Sequence, residues 1–325
     1  RTNDPPAISK GKITCLFEDK TGIIWIGTFD KGLYTYDPVT DHFNTCYYIS
    51  ENSTGNPSIK IKTIFQDDND IIWIGTDGGG LVRFDKGSGE YQSYLISTNS
   101  QESKSNIVSA ITAIDNDKLL IGTYKGLFLF DQINTNFISY DIIPNISEIY
   151  QQIFNFHRDP DSNIWFGTLK GLFKYNPTKK SCVQIISRSK SNKDNLKDDA
   201  ISFIQASFAQ GQDVLWLATK NGLVRYDVHT DYFRRILIDP QKNYSLSNDF
   251  INTLYLNDNG ILWIGTAWSG VDRMDAEGSP FKQIQIQPDN EELFYTACGF
   301  CMDKQGFLGV SACTEGLFKF DHELN

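Results

Sequence analysis

Apolar and polar residues alternate in short runs along this chain, and the runs come in fours. Ile13-Thr14-Cys15-Leu16-Phe17 leads into the turn Asp19-Lys20-Thr21-Gly22 and the run Ile23 to Thr28. Gly32-Leu33-Tyr34-Thr35-Tyr36-Asp37, the turn Pro38-Val39-Thr40-Asp41 and the run Phe43 to Ile49 complete the set. Period-two alternation bounded by Gly, Asp and Pro predicts strands joined by hairpins. In the second strand Trp25 faces one side of the sheet while Ile24 and Ile26 face the other. Both faces are therefore apolar, as a sheet sandwiched between two neighbours requires.

The same phrase returns seven times. Ile24-Trp25-Ile26-Gly27-Thr28 is followed by Ile72-Trp73-Ile74-Gly75-Thr76, Leu120-Ile121-Gly122-Thr123, Ile164-Trp165-Phe166-Gly167-Thr168, Leu215-Trp216-Leu217-Ala218-Thr219 and Leu262-Trp263-Ile264-Gly265-Thr266, with a worn copy at Leu308-Gly309-Val310-Ser311-Ala312. The steps are 48, 47, 45, 51, 47 and 46 residues. That period, built from short alternating strands, predicts an all-β, seven-bladed β-propeller of four-stranded antiparallel blades. The whole of 1–325 reads as one propeller, with blades near 11–50, 59–97, 107–141, 149–187, 199–238, 249–287 and 294–325.

The frame residues are structural in this reading. The Trp series fills the space between blades, the Gly of Gly-Thr lets backbones crowd, and the later Gly (Gly32 in the first repeat) allows a tight connection. Gly309 stands where the first repeat has Trp25, so the last blade is expected to be the least well filled. Gly316-Leu317-Phe318-Lys319-Phe320-Asp321 is a third strand without a fourth of its own, and Pro5-Pro6 makes a poor donor for one. The natural protein is expected to continue past at least one end, in a longer region.

Net charge is −10, with pI near 4.9, which argues against nucleic acid and anionic membrane surfaces as partners. No apolar run approaches the roughly 18 residues of a membrane span, and the polar start Arg1 to Pro6 is not a signal peptide. Six cysteines make no disulfide-dense scaffold. Cys298-Gly299-Phe300-Cys301 matches a redox spacing, but residues three apart on a strand face opposite ways, and small buried hydrophobes is the reading preferred.

No catalytic constellation emerges. His42, His157, His229 and His322 are scattered, and zinc, P-loop and nucleophile-elbow patterns do not occur. Asp67-Asp68-Asn69-Asp70 occupies a hairpin turn and reads as solvated rather than calcium-binding. No catalytic residue, metal site or cofactor is expected.

The pattern at Asp67 and Trp73-Ile74-Gly75-Thr76-Asp77-Gly78-Gly79-Gly80-Leu81-Val82-Arg83-Phe84-Asp85 resembles the two-component regulator propeller repeat. The linker Asp239-Pro240-Gln241-Lys242-Asn243-Tyr244-Ser245-Leu246-Ser247-Asn248-Asp249 fits as well. That repeat is best known from periplasmic sensor regions of hybrid two-component regulators in glycan-degrading bacteria. There, propellers precede an immunoglobulin-like domain, a membrane helix, a histidine kinase and a DNA-binding response regulator. The resemblance implies a non-catalytic, oligosaccharide-responsive periplasmic propeller. An adjacent propeller or immunoglobulin-like domain of the same protein and a second copy in a homodimer would be its partners, without nucleic acid contact or membrane insertion. Kinase, membrane-helix and immunoglobulin-like segments are not in this sequence.

Propeller ligands meet the loops after each Gly-Thr and those joining blades. Sugars stack on aromatic platforms and bond to planar polar groups. Trp268 is the one Trp outside the frame position and is the first candidate platform, with Tyr124 and Phe29 next. Asp77, Lys125, Lys170, Lys220 and Asn221 are the candidate polar partners. The alternatives are a structural or protein–protein interaction propeller that mediates dimerisation or signal transmission, and a propeller-fold polysaccharide lyase or glycosidase.

Overall fold

The computed structural model describes residues 12–46, 60–143, 151–185, 196, 200–209, 212–241, 245–275, 281–284, 296–303, 306–312 and 316–320. The runs fold as the alternation predicts. Blade 1 is the meander Ile13–Glu18, Ile24–Thr28, Leu33–Asp37 and His42–Cys46, hydrogen-bonded in chain order. Blade 2 repeats it with Ile61–Gln66, Ile72–Thr76, Leu81–Phe84 and Tyr91–Tyr94. Six sheets have four strands and the seventh, Ala297–Met302, Leu308–Ala312 and Gly316–Phe320, has three. The fold is an all-β, seven-bladed propeller. Among the described residues the helical content is one short 3-10 segment, Ser100–Asn106. The expected reach of the first blade's last strand to Ile49 and the first ten residues lie outside the described residues.

The blades divide into two compact units. One holds residues 1–141 and 298–325, the other residues 142–297. Within the first, Trp25 packs beside Ile61, Ile64, Ile74 and Phe84 of blade 2, while Ile24 and Ile26 pack with Cys301 of blade 7. Within the second, Trp165 faces Leu215 and Tyr226 of blade 5, and Trp216 faces Leu254 and Leu262 of blade 6. Burying an indole against the next sheet removes a large apolar area from water, worth about 2–3 kcal/mol per side chain.

Two blade-2 positions show why the phrase needs glycine. A Cβ on Gly75 would lie 2.6 Å from the Val108 carbonyl oxygen of the next blade, and Gly80 has φ +76 with its missing Cβ against the Tyr94 carbonyl. The Thr of Gly-Thr closes the same loop. Thr76 Oγ1 donates to the Gly80 carbonyl at 2.9 Å, and Thr28, Thr219 and Thr266 do the same to Gly32, Gly222 and Gly270.

The acidic turn departs from expectation. Asp68, Asn69 and Asp70 are exposed, but Asp67 is buried. Its Oδ1 accepts from the Asn69 and Ile71 amides at 2.9 and 3.0 Å, and its Oδ2 accepts from Trp73 Nε1 at 2.8 Å. Asp19 serves Trp25, and Asp159 serves Trp165, each at 2.9 Å. Although burial works against ionisation, hydrogen bonds from Thr21, Trp25 and Lys86 hold Asp19 at about 2. In blade 7, where Gly309 replaces the Trp, a small gap lined by Leu16, Tyr36, Phe307 and Leu317 remains. Lys319 reaches across it, 3.5 Å from Asp303 Oδ2 and 4.2 Å from the centre of the Phe307 ring.

The cysteines also differ from expectation in one place. Cys15 and Cys301 are free thiols pushed up to about 12 by burial, but Cys298 is disulfide-bonded and is not a buried hydrophobe. It is not joined to Cys301, so the C-x-x-C spacing is not a redox pair.

Candidate functional site

The register of each blade decides what stands beside the loop after Gly-Thr. The first residue of that loop donates its amide to the carbonyl just before the blade's own first strand: Phe29 to Lys12 and Asp77 to Lys60 at 2.8 Å, Tyr124 to Ile107 at 3.2 Å, Ala267 to Phe250 at 2.9 Å. Lys12, Lys60 and Phe250 therefore share the loop end with the predicted residues, although they lie some 17 positions away in sequence.

In the first unit, Phe29 is 38% exposed and sits under two ammonium groups, Lys60 at 4.6 Å and Lys12 at 5.7 Å from the ring centre. Tyr124 is half-buried with Lys62 Nζ 5.0 Å from its ring. Asp77 is half-buried and its backbone bridges to Ile107. Lys125 Nζ is 3.0 Å from Glu102 Oε1.

In the second unit, Trp268 is 61% exposed and holds φ +63. A non-glycine residue there is strained by about 1 kcal/mol or more, and such strain gathers at functional sites. The Phe250 ring meets Trp268 edge-on at 5.7 Å, and Lys220 Nζ lies 5.5 Å from the Phe250 ring centre. Asn221 keeps its backbone in the loop, its amide on Thr219 Oγ1 and its carbonyl on Arg235. Lys170 does likewise with Thr168 and Gln184. The structure thus brings Trp268 together with Phe250 and Lys220, and sets Phe29 and Tyr124 among lysines.

A buried carboxylate supports the Trp268 loop. Asp272 is fully buried, and its Oδ2 accepts from the Ser247 amide at 2.8 Å and hydroxyl at 2.9 Å. Asn248, next along, donates from Nδ2 to Ser269 Oγ at 3.3 Å and accepts the Phe250 amide at 2.8 Å. Burial pushes Asp272 up to about 6 against the two Ser247 hydrogen bonds, and its Oδ1 has no partner among the described residues. The matching position is Tyr34, Val82, Phe128, Phe173, Val224 or Phe318 in the other blades. That break in an apolar series was the signal the sequence offered for it.

Three segments, residues 7–30, 55–78 and 245–268, match the family described as the two component regulator propeller. These three segments carry the two-component regulator propeller repeat. Each matched segment ends in the loop after Gly-Thr, at Asp30, Gly78 and Trp268, so the repeat's frame delivers the residues just described. A histidine kinase of Formosa agariphila is 25% identical over 208 residues, covering 49% of this chain and 15% of that protein. The extracellular domain of a proposed hybrid two component system from B. thetaiotaomicron superposes with a TM-score of 0.73 at 20% identity, over 98% of this chain and 39% of that one. This propeller therefore spans well under half the length of either. A streptogramin B lyase superposes with a TM-score of 0.70 at 14% identity, over 96% and 94% of the two chains. These structural likenesses show the propeller fold. No helix among the described residues is long and apolar enough to cross a membrane, and no cluster of three metal-ligating side chains occurs among them.

Proposed function

We propose that this propeller is the ligand-responsive, non-catalytic part of a periplasmic two-component sensor, and that its ligand is an oligosaccharide. The observation that carries this reading is Trp268, a large aromatic face held open to solvent in a strained backbone conformation, braced by Phe250 and flanked by Lys220. An exposed indole offers a flat apolar surface to the C–H face of a pyranose, and the neighbouring amine and amide supply hydroxyl partners. The repeat and the extracellular relative support the sensor role. Disulfide-bonded Cys298 supports an oxidising compartment such as the periplasm.

The hydrogen-bonded path from the Trp268 loop through Asn248 and Ser247 to Asp272 gives binding a route into the packed blade. Adjacent domains of the same protein and a second copy would receive the signal. Calorimetric titration of the 325-residue chain with an oligosaccharide panel tests the proposal. Binding that disappears in Trp268→Ala, with the melting temperature unchanged, is the expected result. Binding indifferent to Trp268→Ala, or no binding by this chain, would overturn it.

A further inference from the structure

Leu246 and Ile251 are both fully buried among apolar residues of blades 5 and 6, and the four residues between them belong to no strand. Their placement depends on hydrogen bonds to the elements on either side. Asp249 is tied toward blade 5, its carbonyl accepting the Gly222 amide at 2.6 Å and its Oδ1 the Ile238 amide at 2.7 Å. The other three are tied to the hairpin that carries Trp268. Ser247 donates twice to Asp272 Oδ2, Asn248 donates to Ser269 Oγ, and the Phe250 carbonyl accepts the Ala267 amide. Asn248 Oδ1 also accepts the Phe250 amide, which fixes the backbone that carries the Phe250 ring.

Two features single out Asp272 among these contacts. A non-glycine residue at positive φ persists only where its surroundings over-determine it. The residues on both sides of Trp268 are bonded to this segment, Ala267 to Phe250 and Ser269 to Asn248, so the segment is part of what holds Trp268 at φ +63. Second, a carboxylate is costly to bury, and Val82 and Val224 fill the matching place in blades 2 and 5. What Asp272 supplies and valine cannot is an acceptor for the Ser247 amide and hydroxyl, both taken on one oxygen at 2.8 and 2.9 Å.

We infer that Asp272 is a positioning residue of the Trp268 platform, holding segment 247–250 through Ser247 against the loop that presents the indole. This rests on the reading of Trp268 as the ligand platform and names a group that keeps the platform in place. Asp272 is fully buried and acts only through Ser247.

Amide hydrogen exchange at pH 7 tests this without any sugar, on peptides covering 246–252 and 265–270. A third peptide, 214–219 in the second strand of blade 5, reads opening of the packed core. In Asp272→Val, the residue of blades 2 and 5, exchange is expected to quicken on the order of tenfold in the first two peptides, as both Ser247 bonds are lost, and to be no faster in the third. Asp272→Asn keeps an oxygen for Ser247 and is expected to stay within about threefold of wild type. Wild-type exchange in the valine variant would overturn the inference, and so would quickening of all three peptides in step, which is loss of stability alone. An asparagine variant as fast as the valine one would overturn it too, because the acceptor would then not be the means. Titration that finds no sugar binding would refute the ligand reading and leave these exchange rates as they are, so the two failures are told apart.

Discussion

Blades 2 and 6 are built on one template and differ at matched positions. Asp67 accepts the Trp73 indole proton, whereas the equivalent Asn257 does not serve Trp263, whose Nε1 has no partner among the described residues. Gly78 takes φ +103 without cost, and its equivalent Trp268 is forced to +63. Val82 is an ordinary core residue, and its equivalent Asp272 is a buried carboxylate with one oxygen unpartnered among the described residues. Blade 2 satisfies each of these positions and blade 6 breaks all three, Asn257 in the turn before its second strand and Trp268 and Asp272 toward that strand's other end. Broken local rules gather at functional sites, which is the ground for proposing blade 6 rather than blade 2 as the ligand-binding one of the pair.

The largest expected effect comes from removing the satisfied carboxylate. Asp67→Ala strips acceptors from two turn amides and a buried indole, and should cost about 4 kcal/mol. Asn257→Ala loses the turn bonds at 2.8 and 3.1 Å but no indole bond, and should cost about half as much. Urea midpoints measure both, and equal losses would show that the indole hydrogen bond contributes nothing.

Next is a pH dependence. Asp272 is raised from 3.8 to about 6 by burial, so its share of stability is complete below pH 3.8 and is lost as pH rises through 6, about 3 kcal/mol in all. His157, in the same unit, is lowered by burial from 6.5 to about 4 despite Asp159, and its share is complete above pH 6.5 and lost as pH falls through 4. The two slopes oppose one another between pH 4 and 6. Wild-type unfolding free energy should therefore be nearly flat there, while Asp272→Val, which installs the blade 2 residue, should climb with pH by about 3 kcal/mol. A flat profile in the variant would mean that His157 does not titrate in this range, and a wild type that climbs as steeply as the variant would mean that Asp272 does not.

A smaller gain should follow from repairing the indole. Asn257 presents an amide nitrogen where Asp67 presents its second oxygen, and a donor cannot accept the Trp263 proton. Asn257→Asp should stabilise the chain by about 1 kcal/mol, read as a raised melting temperature. An unchanged or lowered value would mean that burying the new charge outweighs the bond.

The frame was legible in sequence because frame positions recur. Seven copies of a Gly-Thr phrase give the blades, their strand order and the under-filled position at Gly309. Asp67 was misjudged because its neighbours Asp68 and Asp70 are solvated, and composition alone cannot say which acid of a run turns inward. The candidate site was legible only in part. Trp268 and Phe29 stood out as loop aromatics, but Lys12, Lys60, Lys62 and Phe250 belong to the segments leading into or beginning first strands. They reach the loop end through a register and side-chain reach that a linear reading does not display. Asp272 could have been found by aligning third strands, where one carboxylate interrupts an apolar series. The pairing of Cys298 had no such signal, because strand alternation says which way a thiol points and nothing about what it meets.

The smallest expected change in stability is also the one that best separates function from fold. Trp268→Gly gives blade 6 the residue that blade 2 uses at the same left-handed position. Glycine adopts φ +63 freely, so up to about 1 kcal/mol of backbone strain is relieved. The indole is already 61% exposed, so little packing is lost with it beyond the edge contact to Phe250. The variant should melt at the wild-type temperature or slightly above while losing the ligand, whereas Phe250→Ala should lose both stability and part of the affinity. A Trp268→Gly chain that melts well below wild type would assign this tryptophan a packing role and remove the reason for regarding its strain as functional.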